Sequence, residues 1–308
     1  MKYQVLLFIW SICIVSCSNA QKIATPVAGK IIRHENFQSA YVDARHVEVW
    51  LPEGYADDQA YPVLYMHDGQ NLFDASVTWN KQEWMVDDII TRLVREGVIS
   101  PMIVVGIFNN GEMRHPEYFP QKPFESLTEE AEKRLSSQVK LKDLETFKQK
   151  ICSDDYLSFV VEELKPFIDR TYQTMSNQSN TYIGGSSMGG LISMYAICEY
   201  PDIFGGAACV STHWPGFGDF DGNPVPDAFV AYLDAHLPTP ENHKIWFDHG
   251  TATLDEIYGS LQKRIDKVME KHHYSSDSWT TKVYPGANHS ELAWQKRFDE
   301  VLLFLLGE

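Results

Sequence analysis

A chain of 308 residues that is 44% hydrophobic, 13% aromatic and 22% charged can bury a sizeable core in one large domain or two small ones, which argues against disorder over most of its length. Its 26 Lys and Arg stand against 42 Asp and Glu, a formal charge of -16 with no Lys/Arg-rich run, so neither a nucleic-acid groove nor a patch for anionic membranes is expected. Five cysteines with no Cys-x-x-Cys pair and no Cys/His spacing speak against a disulfide scaffold and against a zinc framework.

Lys2, an apolar run over residues 5–15 and Ser18-Asn19-Ala20 before Gln21 read as a signal peptide over residues 1–20. The run is too short for the roughly 20 residues that span a bilayer. Ile14-Val15-Ser16-Cys17 resembles a bacterial lipobox, so the exported chain is either free or anchored by a lipid on Cys17. Such a chain would be periplasmic, secreted or a membrane-anchored lipoprotein of a bacterium. Residues 21–39 read as a leader, and residues 40–308 as a single domain. Cys152, Cys198 and Cys209 remain after export; the last two lie in apolar surroundings and read as core.

Beyond residue 40, short apolar segments alternate with amphipathic ones. Strands are expected at 47–50, 62–66, 102–107, 180–184, 206–211, 244–249 and 281–284, several of them apolar throughout, as strands buried on both faces must be. Helical periods fall at 84–95, 155–169, 188–200, 254–271 and 290–306. This alternation predicts an α/β fold with a mostly parallel central sheet flanked by helices. The long connection over 111–153 breaks the rhythm. It carries Pro116, Pro120, Pro123, Tyr118, Phe119 and Phe124, then a charged helical stretch over 129–150, and its length reads as a lid-like insertion.

Gly185-Ser186-Ser187-Met188-Gly189 places Gly-x-Ser-x-Gly between an apolar strand and a helix, the context of a nucleophile elbow. The turn is strained, and small residues two before and two after Ser187 let strand and helix approach; Ser186 fails this register because Met188 would fill the second small position. A serine needs a base, and the base needs a carboxylate, in the chain order Ser, Asp/Glu, His on this kind of fold. Among eleven histidines, His289 follows the last strand and precedes the last helix, the expected station for the base; His213, His249, His272 and His273 are its nearby competitors. Asp248, Asp255 and Glu256 compete for the acid. Asp255, on the loop before a helix, is favoured. An acyl-transfer site also needs two donors for the oxyanion. The Met188 amide is one by geometry, and the Gln70 amide, in the loop after the 62–66 strand, is the candidate for the other.

These stretches, Met66-His67-Asp68-Gly69-Gln70-Asn71-Leu72-Phe73-Asp74, residues 184–190, Ser211-Thr212-His213-Trp214-Pro215 and Gly286-Ala287-Asn288-His289, resemble the putative-esterase family of α/β hydrolases, the group related to esterase D, feruloyl and acetyl-xylan esterases of carbohydrate esterase family 1, siderophore esterases and mycolyltransferases. The resemblance spans roughly residues 40–306. It implies an α/β-hydrolase fold and a serine esterase with Ser187, His289 and Asp255 as nucleophile, base and acid, Gln70 and Met188 as oxyanion donors, and no metal or organic cofactor. The Gln70 loop departs from the His-Gly-Gly form of some relatives. Export and site-flanking aromatics (Trp79, Trp84, Tyr118, Phe119, His213, Trp214) favour an acetyl or feruloyl ester of a carbohydrate, small or polymeric, with Trp214 expected to bind it. Two alternatives stay open: a siderophore trilactone esterase using Arg45, Arg92, Arg95 and Arg114 as a local patch, and a non-catalytic carbohydrate-binding protein on a hydrolase scaffold.

Overall fold

The computed structural model describes residues 22–138, 150–218 and 221–307. The expected signal peptide, with Cys17, lies outside the described residues. Among them, eight strands form one sheet in the order β1-β2-β4-β3-β5-β6-β7-β8. The strands are β1 (Lys30–Phe37), β2 (Arg45–Leu51), β3 (Val63–His67), β4 (Ile103–Ile107), β5 (Thr181–Ser186), β6 (Gly206–Val210), β7 (Lys244–Gly250) and β8 (Trp279–Tyr284). β1 pairs antiparallel with β2 and β2 antiparallel with β4; every other pairing is parallel.

The central strands are buried along their whole length, and their side chains divide by parity between two cores. Val63, Tyr65, Val105, Ile183, Cys209 and Phe247 face one side, beneath the helices Met188–Glu199, Val225–His236 and Tyr258–Lys271. Leu64, Met66, Val104, Ala208 and Trp246 face the other, beneath Val86–Arg95 and Phe298–Leu306. Val86, Ile89, Ile90 and Leu93 supply the apolar stripe that seats the first of those helices. Cys198 and Cys209 are buried free thiols, as their apolar neighbours lead one to expect.

One expectation is corrected and two features are added. The leader does not extend to residue 39, because Lys30–Phe37 pairs with β2 as the sheet's edge strand. The helix Val225–His236 was not anticipated between β6 and β7. The lid-like insertion, over its described part, packs into the body of the domain. Tyr118, Phe119 and Leu135 are fully buried, Phe119 stacks on Phe217 with ring centroids 4.7 Å apart, and Glu117 takes both bonds of a buried bidentate pair with Arg45 of β2 at 2.7 Å. The charged helix expected over 129–150 runs over Glu129–Gln138; residues 139–149 lie outside the described residues.

The segment before β1 is fastened by Asp87, whose Oδ2 accepts the Val27 amide at 2.6 Å while Oδ1 has no partner. Burial pushes this carboxyl up to about 7. Between the ordinary carboxylate range and pH 7 the folded chain therefore holds a proton that the unfolded chain has lost, so stability falls as pH rises through that window. Asp87→Asn keeps an acceptor for Val27. It is expected to raise the unfolding free energy at pH 8 by about 2–4 kcal/mol and to change it little at pH 4. Urea unfolding at the two pH values checks this, and a variant with the wild-type pH dependence would overturn it.

Candidate active site

Parallel strands bring the loops at their C-terminal ends together, and all the expected chemistry lies there: Gln70 after β3, Ser187 after β5, Asp255 after β7 and His289 after β8. Ser187 sits at φ 59° and ψ -119°, a strained conformation for a residue with a Cβ. Its amide bonds to Val210 O at 2.9 Å, and its carbonyl accepts the His213 amide at 3.2 Å, so the elbow is clamped from β6. Space is tighter before the turn than after it, where a Cβ on Gly189 would meet His67 Cβ at 3.4 Å, an ordinary contact. A Cβ on Gly185 would lie 3.1 Å from both Gly189 Cα and His67 Cβ.

The β7 and β8 loops are laced to each other. The amides of Thr251 and Ala252 both donate to Ala287 O at 3.1 Å, and Thr253 Oγ1 accepts the His289 amide at 2.9 Å. A Cβ on Gly250 would come within 2.1 Å of Ala287 O, so only glycine permits this approach. The result is a contact between His289 Nδ1 and Asp255 Oδ1 at 2.5 Å, with the carboxylate fully buried. Burial works against the charged form of Asp255. The hydrogen bonds from His289, Ser211 and the Gly250 amide outweigh it and hold the carboxyl below its ordinary pKa. With Asp255 ionised, Nδ1 carries the imidazole proton and Nε2 is left as the basic nitrogen.

Ser187 and His289 line one cavity of about 400 Å³, together with Asp68, Gln70, Trp79, Trp84, Arg114 and Glu291 among others. Asp68 is gripped by Arg114 through two bonds of 2.7 Å and by Asn109 at 2.7 Å. Burial disfavours its charge, but the guanidinium prevails and its pKa is lowered. Gln70 Oε1 accepts the Asn109 amide at 3.2 Å, which ties the β3 loop to the end of β4. Next to Ser187, Tyr258 bonds to His213 Nδ1 at 2.6 Å and packs edge-on to His289. Burial lowers His213 to about 3 and keeps it neutral, unlike a working base near pH 7.

The expected site residues divide accordingly. Ser187 and His289 share the cavity with Gln70; Asp255 reaches it through His289; Met188 begins the helix behind the elbow. Trp214 is corrected: it is 2% exposed, donates its indole N–H to Gln262 at 2.8 Å and packs on Phe247, so it is core and not a substrate contact. Trp79 and Trp84 line the cavity. Asp248 instead accepts the Trp246 indole and the buried Arg297. Of the four arginines named as a possible patch, Arg114 lines the cavity; Asn109 and Glu291 were missed, because each joins it only through the packing of a distant loop.

A family model described as "Putative esterase" matches residues 39–305. The chain is 25% identical over 272 residues to the uncharacterized protein YbbA of Bacillus subtilis (strain 168), covering 86% of this chain and 93% of that protein. A ferulic acid esterase structure superposes with a TM-score of 0.63 at 18% identity, over 90% of this chain and 98% of that one. The enterobactin esterase FES from Shigella flexneri superposes with a TM-score of 0.64 at 16% identity, over 92% of this chain and 60% of its own. At such identities the structural likeness carries the α/β-hydrolase fold alone.

Proposed function

The chain belongs to the putative esterase family of carboxylic ester hydrolases, and from that premise we propose that it removes acetyl or feruloyl groups from carbohydrate esters through an acyl-enzyme on Ser187. His289, held by Asp255, takes the Ser187 proton as Oγ attacks the ester carbonyl. The amides of Met188 and Gln70 receive the oxyanion. The alcohol leaves with the proton from His289, and water repeats the sequence to free the acid. The observation that carries this reading is the 2.5 Å Asp255–His289 contact in the loop beside the strained Ser187.

The substrate class rests on the lining. Among the described residues, three indoles, Trp79, Trp84 and Trp294, and otherwise polar side chains surround the cavity, with no aliphatic wall for a long acyl chain. Trp79 is 83% exposed at its rim, a free face for a sugar or cinnamoyl ring. Of the four arginines named for a ferric catecholate, Arg114 alone lines the cavity and it is paired with Asp68; Arg45 is buried against Glu117, and Arg92 and Arg95 lie in exposed pairs away from it. Export belongs to the same proposal, since residues 1–20 carry a signal pattern and acylated polysaccharide lies outside the cell.

A hydrolysis panel of methyl ferulate, acetylated xylan, p-nitrophenyl acetate and a catecholate trilactone tests it. Cleavage of one of the first two is expected, and cleavage of the trilactone alone would overturn the substrate assignment. Trp79→Ala is expected to raise KM for the polysaccharide ester about three- to tenfold and to leave p-nitrophenyl acetate unchanged.

A further inference from the structure

Behind the Asp255–His289 contact lies a buried polar layer that the chemistry above does not use. Asp255 Oδ2, the oxygen not bonded to His289, accepts the Ser211 hydroxyl at 2.6 Å and the Gly250 amide at 2.6 Å. Ser211 has one hydroxyl proton and spends it on Asp255. Its oxygen in turn accepts Trp294 Nε1 at 3.1 Å and Arg297 Nη2 at 2.7 Å. The second proton of that Nη2 goes to Asp248 Oδ1 at 2.7 Å, and Asp248 also accepts the Ser211 amide at 3.0 Å and the Trp246 indole at 2.7 Å. Ser211, Asp248, Asp255 and Arg297 are all buried.

Two features set this layer apart from ordinary packing. Ser211 stands at φ 42° at the end of β6, a conformation that a non-glycine residue adopts at a cost. Arg297 keeps Nε and Nη1 without hydrogen-bond partners, its guanidinium covered by the Tyr284 ring at 4.6 Å. Well-packed apolar residues would fill the same volume with at least equal stability, so a strained serine and a half-satisfied buried arginine point to a task other than holding the fold.

Resting on the reading of Asp255 and His289 as acid and base, we propose that Ser211 and Arg297 are positioning residues of that pair. Arg297 and Trp294 fill the lone pairs of the Ser211 oxygen, which leaves its proton only one direction, toward Asp255. The carboxylate is thereby fixed in the rotamer that presents Oδ1 to the imidazole and is kept ionised there. The titratable and charged groups facing the pair are Asp248 from β7, His213 and Tyr258 beside the imidazole, Tyr284 from β8, Arg297 and Glu291 from the C-terminal segment, and Asp68 and Arg114 across the cavity. None of these changes in Ser211→Ala, which removes the hydroxyl donor to Asp255 together with the oxygen that accepts Trp294 Nε1 and Arg297 Nη2.

Removing that donor leaves more of the negative charge on the side of His289, which favours the imidazolium, and it loosens the carboxylate rotamer. Ser211→Ala is expected to lower kcat about 10- to 100-fold with KM within about twofold, and to move the acid limb of kcat/KM upward by about half a pH unit or more. Arg297→Met is expected to shift the limb the same way, and Arg297→Lys to restore part of the rate. Where Arg297→Met strands Asp248 and does not fold, Ser211→Ala alone decides. The measurement is a pH profile of p-nitrophenyl acetate hydrolysis beside wild type and Ser187→Ala. An inactive wild type or an active Ser187→Ala overturns the functional reading. With those two as expected, a Ser211→Ala enzyme that keeps the wild-type kcat and acid limb, or loses only thermal stability, overturns the positioning role.

Discussion

Alanine at position 187 is expected to cut kcat/KM toward p-nitrophenyl acetate by about 10⁴–10⁶-fold, with a thermal midpoint close to that of wild type. Rate and stability separate here because the strain belongs to the backbone. At φ 59° and ψ -119° an alanine Cβ meets the same crowding as a serine Cβ, and the main-chain bonds to Val210 and His213 that hold the elbow do not involve the hydroxyl. Ser186 also lines the cavity, but it is the last residue of β5, in extended pairing with Val210, and does not sit in the turn. It is not expected to rescue the reaction. Ser187→Gly relieves the strain and should be equally inactive and no less stable. Asp255→Asn is expected to cost less, about 10³–10⁴-fold, because the imidazole survives while the anion that fixes its tautomer is lost. Steady-state rates with calorimetry on the same samples check all three, and a Ser187→Ala protein with the wild-type rate would remove Ser187 from the mechanism.

What was legible in the sequence follows from how local each signal is. The elbow announces itself within five residues, because the turn brings strand and helix close around Ser187 and favours small residues on both sides, and His289 sits at a loop position set by the order of strands and helices. Asp255 against Asp248 was a finer choice. The two carboxylates are seven residues apart, and what separates them is that Asp248 lies within β7, aimed at Trp246 and Arg297, while Asp255 lies beyond the strand, where the chain can turn toward β8. β1 was hidden because Lys30–Phe37 is a polar, half-exposed edge strand with no apolar run, a pattern that protects edges and reads as loop. The helix Val225–His236 was masked by Pro224 and Pro226, which read as breakers although proline suits the first turn of a helix. Trp214 shows the opposite failure. Its loop was placed correctly, but the direction of its side chain depends on contacts with Phe247 and Gln262 from strands and helices that no short-range pattern reveals. The Ser211–Arg297 layer joins residues 86 positions apart and was invisible for the same reason.

Gly69→Ala is expected to lower kcat about 10²–10³-fold, to leave KM within a few-fold, and to cost about 2–4 kcal/mol of stability. Gly69 opens the short turn Gly69–Asn71 that carries Gln70 away from β3, with Asp68 before it in the left-handed region at φ 55°. An added Cβ would lie 2.4 Å from the carbonyl carbon of Gly106 and 2.7 Å from both Gly106 O and the Ile107 nitrogen. Those atoms are main chain of β4, locked between β2 and β3, so the turn must give way and not the strand. A displaced turn moves the Gln70 amide, the proposed second donor to the oxyanion, whereas Met188, first residue of the helix after Ser187, keeps its place. Charge develops on the carbonyl oxygen in the transition state, so the loss falls on kcat more than on ground-state binding. Gly259→Ala is the control, since its added methyl would meet only His249 at 3.5 Å, an ordinary contact. Comparing kcat, KM and unfolding free energy for the two variants separates catalysis from stability. A folded Gly69→Ala enzyme with the wild-type kcat would place the second oxyanion donor elsewhere than Gln70.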